Sequence, residues 1–152
     1  MKFKAETIAK NSVTSPDVVI ALHACDTASD DAIAWGINNG AKVILVAPCC
    51  HHDLQTQLIN TPEPWSIVTK SGLMKERLGD LLTDSIRAQI LKLKGFRTDI
   101  IEFIASEHTP RNLLIRAVYT GAKRDESELA KYKELCAMWG IAPALSQKVE
   151  LN

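Results

Sequence analysis

The chain has 152 residues, 46% of them hydrophobic, which suits a domain with a core of its own. Lysine plus arginine equal aspartate plus glutamate at 18 each, so no global positive field argues for nucleic acid and no acidic tail argues against it. The start, "MKFKAETIAKNSV", has no apolar signal region, no apolar run nears a membrane span, and Cys25, Cys49, Cys50 and Cys136 are not spaced as a disulfide scaffold; these features imply a reduced, cytoplasmic protein.

"MKFKAETI" alternates Phe3, Ala5 and Thr7 against polar neighbours and reads as a short strand. "NSVTSPD" is a turn-rich break. "DVVIALHAC" is apolar on both faces, the pattern of a buried parallel strand. "TASDDAIAWGINNG" reads as a helix, with Thr27 and Asp30 fitting a capping box and Asn39-Gly40 a stop. "AKVILVAPCC" is a second buried strand, which completes a βαβ unit. "HHDLQTQLIN" suits a short helix, and "TPEPWSIVTKSG" a loop broken by Pro62 and Pro64. In "LMKERLGDLLTDSIRAQILKLKG", Leu78, Leu81, Leu82, Ile86, Ile90 and Leu93 recur at helical spacing up to Gly95, and Asp84 with Arg87 reads as a surface pair. "FRTDIIEFIA" and "NLLIRAVYT", joined by "SEHTPR", form an antiparallel pair because so short a loop permits nothing else. "DESELAKYKELCAMWG" is a last amphipathic helix. The main body is expected over 1–122, with a helix and tail over 123–152.

In open α/β sheets, ligands bind beyond the carboxyl ends of the strands. The first buried strand ends in His23, Cys25 and Asp26, and the second in Pro48, Cys49, Cys50 and His51. The third ends in Glu107 and His108, and its partner begins after Arg111 and Asn112. Rare polar residue types from separate segments therefore converge on one sheet edge, with His52 close by. A metal at "CCHH" is disfavoured, because zinc sites use spaced pairs such as C-x-x-C and adjacent side chains at a strand end point different ways. Asp26 and Asp30 are explained as helix caps. Cys49 and Cys50 suit either small apolar packing residues or thiols of lowered pKa at a helix start.

"ALHACDTASDDAI", "ILVAPCCHHDL", "GLMKERLGDLLTDSIRA" and "EFIASEHTPRNLLIRA" resemble the carboxyl-terminal part of the class I S-adenosylmethionine-dependent methyltransferases of the type 32 group. The resemblance implies an α/β, Rossmann-like sheet in the order 3-2-1-4-5-7-6, with parallel strands 4, 5 and 6, an antiparallel strand 7 and helices on both faces. "DVVIALHAC" would be strand 4, "AKVILVAPC" strand 5, and "MKFKAETI" the end of strand 3. The first strand of the fold is followed by a Gly-rich turn at the cofactor, whereas here no glycine precedes Gly36. The chain thus reads as a methyltransferase's second half, from a truncated, split or partially sequenced gene product. By resemblance, Glu6, Thr7, Leu22, His23, Ala24 and Cys25 would line S-adenosylmethionine. His23, Asp26, Cys49 and Cys50 would be catalytic, with His23 as general base or a cysteine as nucleophile. Pro48, His51, Glu107, His108, Arg111 and Asn112 would face the acceptor. RNA is the favoured acceptor because some relatives modify it, and a small molecule is the other. The bare strand 4 edge is expected to pair with a second copy, with "MKFKAETI" or with a separate N-terminal half. An inactive fragment or binding subunit is the rival reading, and a Cys/His metal-binding protein a lesser one.

Overall fold

A computed structural model describes residues 5, 7, 8, 13–102 and 112–151. Among these residues four strands form one sheet in the order β1-β2-β4-β3: β1 is Val18–Leu22, β2 Val43–Ala47, β3 Phe96–Glu102 and β4 Leu113–Tyr119. β1 and β2 are parallel, with Val18 opposite Val43 and Leu22 opposite Ala47. β4 lies between β2 and β3 and runs antiparallel to both. β1, β2 and β3 therefore point the same way, so their carboxyl ends share one edge. Ala5, Thr7 and Ile8 form no strand, and the rest of the expected first strand lies outside the described residues.

The helices are α1 (Thr27–Asn38), α2 (His52–Gln57), α3 (Ser66–Thr69), α4 (Gly72–Leu93) and α5 (Glu126–Trp139). α3 falls within the segment expected to be loop. α1 stops where the Asn-Gly pair predicts, Gly40 taking φ 72°. α1 lies so close to the sheet that a Cβ on Gly36 would meet Ile44 Cδ1 at 2.9 Å and Val19 Cγ2 at 3.2 Å. α5 is capped by Asp125, whose carboxylate accepts the Ser127 and Glu128 N–H groups.

The core fills the space between these helices and one face of the sheet. Val19, Ala21, Ile44, Val46, Ile115 and Ala117 supply the sheet side. Ile33 from α1 and Ile86, Ile90 and Leu91 from α4 supply the helix side, each aliphatic side chain contributing about 1.5–3 kcal/mol on burial. Leu129, Tyr132, Trp139 and Leu145, in the expected tail, join the same core. Leu81, expected inside, is 64% exposed.

Residues paired across a sheet project from the same face. Val18, Val43 and Val118 form one such row on the face opposite the core, and Ile20 with Leu45 another. Among the described residues the helices cover only the core face, not both faces as expected. Val18, Ile20 and Leu22 are 49%, 61% and 62% exposed. No helix among the described residues is long and apolar enough to cross a membrane.

Candidate functional site

Two strand-to-helix turns meet at the carboxyl edge of the sheet. The first, residues 23–26, leads from β1 into α1. His23 and Asp26 hold positive φ values of 55° and 49°, which side-chain-bearing residues keep only when surrounding contacts enforce them. Those contacts are present. His23 N–H donates to the Ala47 carbonyl at 3.2 Å, which ties the turn to the end of β2. Ser29 Oγ donates to the Ala24 carbonyl at 2.5 Å. Arg87 Nη2 donates to the Asp26 carbonyl at 2.8 Å, and both Asp26 carboxylate oxygens accept the Asp53 N–H at 3.1 Å.

The second turn, residues 48–51, leads from β2 into α2. Pro48 and His51 are buried, while Cys49 and Cys50 are half-buried. The two turns bring three thiols together: Cys25 Sγ lies 3.7 Å from Cys49 Sγ and 3.8 Å from Cys50 Sγ, and Cys49 and Cys50 Sγ are 3.8 Å apart. Burial, chiefly, and the neighbouring thiols push the Cys49 pKa up to about 11. That is opposite to the lowering expected from a helix start. A thiol held protonated is a poor nucleophile at neutral pH.

Behind the turns lies a buried ionic chain. Arg87 is fully buried and grips Asp30 with two bonds, Nε to Oδ1 at 2.8 Å and Nη2 to Oδ2 at 2.9 Å. Its Nη1 reaches Asp84 Oδ1 at 3.2 Å, and Asp84 Oδ2 is 3.0 Å from His51 Nε2. His51 Nδ1 sits 3.1 Å from Asp80 Oδ1, outside hydrogen-bond geometry. The carboxylates on either side keep the Arg87 pKa above its ordinary value although burial, the largest influence, opposes them.

The structure corrects three expectations here. Asp84 and Arg87 are a core pair, not a surface pair, because their stripe of α4 faces α1 and α2. Neither Asp26 nor Asp30 caps α1: no side-chain cap bond forms at Asp26, and Asp30 is occupied by Arg87. Cys49 and Cys50 do not point apart, since β2 ends at Ala47 and the irregular backbone of 48–50 turns both thiols to one side.

Of the other site residues, Leu22, His23 and Cys25 are exposed on the edge, Ala24 is half-buried and Thr7 is exposed. His51 stands behind the edge, with its ring held by Asp84, and Asn112 is buried. Glu6, Glu107, His108 and Arg111 lie outside the described residues. Sequence reading missed Asp30, Asp53, Asp80, Asp84 and Arg87 as a supporting set. The signal was the spacing of Asp80, Asp84, Arg87 and Leu91, which falls along one helical stripe ending in a fully buried leucine.

Residues 1–57 match the family model described as a methyltransferase domain, a stretch that carries β1, α1, β2, α2 and both turns. Among curated proteins and solved structures, nothing matches the chain.

Proposed function

We propose that this chain is the carboxyl-terminal half of an S-adenosylmethionine-dependent methyltransferase, and that its sheet edge forms the acceptor side of the site. The observation that carries the reading is the strand order. β1-β2-β4-β3, with β4 reversed, corresponds to 4-5-7-6 of the implied sheet, and the motifs lie at the matching strand ends. The family match over residues 1–57 supports it.

S-adenosylmethionine, when bound, supplies an electrophilic methyl group. The segment Leu22–Cys25, exposed except at half-buried Ala24, suits one wall for it, while the Gly-rich turn that would form the opposite wall is not among the 152 residues. His23, exposed and two residues before Cys25 in the chain, would accept the proton of an acceptor hydroxyl or amine as the methyl group is transferred. Asp26 acts as a positioning residue, since its carboxylate already holds α2. The upward shift at Cys49 favours His23 as base over covalent attack by that cysteine. The acceptor is RNA or a small molecule, oriented in the cytoplasm by the polar edge.

Among the described residues no strand pairs with the outer edge of β1, and Val18, Ile20 and Leu22 are exposed; both features favour a partner layer, because parallel strands are stable when both faces are covered. The first half of the same fold, with strand 1 beside β1, suits that surface best, and a second copy is the other candidate. A non-catalytic binding subunit is the second reading.

Calorimetric titration of S-adenosylmethionine decides between them. The proposal expects no binding to the chain alone and stoichiometric binding once a segment bearing a strand and Gly-rich turn is added. Failure to bind in that mixture, with the two pieces shown to associate, would overturn it in favour of the subunit reading.

A further inference from the structure

We infer that Cys25, Cys49 and Cys50 form a three-thiolate site for one thiophilic divalent cation of the zinc type. The inference concerns metal binding alone and stands independently of methyl transfer.

A tetrahedral zinc–thiolate centre has Zn–S bonds of about 2.3 Å, so sulfurs on one face of the tetrahedron are about 3.8 Å apart. The three thiols are separated by 3.7, 3.8 and 3.8 Å, a nearly equilateral triangle of that edge. The objection from sequence, that neighbouring cysteines diverge, fails because the turn at 48–50 aims both thiols to the same side. Cys25 is exposed, and no His, Asp or Glu joins the three thiols as a fourth donor among the described residues. Three thiols with no fourth donor among the described residues fit a three-ligand centre, whose remaining position water or an incoming ligand takes when the metal is bound.

Each turn is anchored by the residue next to its thiols, and both anchors lead to the same buried pair. Arg87 holds the Asp26 carbonyl beside Cys25, and Asp84 holds the His51 ring beside Cys50. Arg87 and Asp84 are themselves bonded, so the three sulfurs are set by one rigid unit. Metal sites depend on such supporting contacts to fix their ligands. On binding, three S–H bonds give way to three Zn–S bonds and the protons pass to solvent, so affinity rises with pH across the thiol titration range.

The test uses the full chain, reduced and freed of metal. Titration with cobalt(II) should give thiolate-to-metal charge-transfer bands and tetrahedral visible bands that saturate at one equivalent, and zinc should displace them. C25S, C49S and C50S should each lose the bands, while C136S, altered away from the site, should keep them. Alkylation mapping on the unaltered chain guards against variants that fail to fold: zinc should protect Cys25, Cys49 and Cys50 and leave Cys136 reactive. Absence of the bands, or zinc protection that spares all three or covers Cys136 equally, would overturn the inference.

Discussion

Arg87→Met removes the guanidinium at the centre of the buried chain while keeping most of the side-chain volume. Four bonds vanish: two to Asp30, one to Asp84 and one to the Asp26 carbonyl. Two nearly inaccessible carboxylates are left with no cation between them, and removing one partner of such a buried arrangement costs about 3–5 kcal/mol. Against a typical total of about 5–15 kcal/mol, that is a large share of the stability of the fold. For a domain of this size it corresponds to a melting point lower by about 6–20 °C, at 2–4 °C per kcal/mol. Arg87→Lys should fall between, since an ammonium cannot reproduce the paired bonds to Asp30. Adding D30N and D84N to the Met variant should recover part of the loss, because the stranded charges disappear. Urea unfolding followed by circular dichroism measures all four proteins. A Met variant within about 1 kcal/mol of the unaltered chain, or no recovery in the triple variant, would refute the reasoning.

Three further outcomes are expected. In the metal-free chain, Cys49 should alkylate slowly at neutral pH and faster as pH rises toward about 11, because only the thiolate reacts; a pH-independent rate in mapped alkylation would contradict this. Gly36→Ala should destabilise by about 1 kcal/mol net, as overpacking against Ile44 outweighs the better helix propensity of alanine, and Ile44→Val should relieve it. Strict additivity of the two changes in thermal melts would exclude the contact as the cause. Sedimentation should find the chain alone self-associating through its uncovered sheet surface, and Ile20→Lys, which charges a position 61% exposed, should shift it toward monomer; an unaltered chain that stays monomeric at high concentration would count against a sticky surface.

The βαβ unit, the long helix and the closing antiparallel pair were legible because apolar periodicity and turn residues act locally. β1, α1, β2 and α4 fall where "VVIAL", the Asn-Gly stop, "VILVA" and the Leu/Ile spacing put them. The polar edge was legible in outline, since residues at strand ends must share an edge in a parallel unit. Its division of labour was not. Asp30, Asp84 and Arg87 carry charges that on average belong outside, and only a tertiary contact among α1, α2 and α4 reveals them as a core assembly. Cys25 meets Cys49 and Cys50 at a turn with positive φ at His23 and Asp26, a backbone conformation that neither residue type announces. The reach of α4 was overestimated at Leu81 because helical spacing alone does not show how wide the covered stripe is.

The uncovered sheet face has a consequence for the thermodynamics of unfolding. Denaturant m-values and heat-capacity changes scale with the surface newly exposed when a chain unfolds. Val18, Ile20 and Leu22 already meet water in the folded chain, so they add little to either quantity. The isolated chain should therefore unfold over a broader urea range, with a smaller heat-capacity step per residue, than a domain closed on both faces. Any body that settles on that face would sharpen the transition and enlarge the step, making cooperativity itself a gauge of whether the sheet is complete.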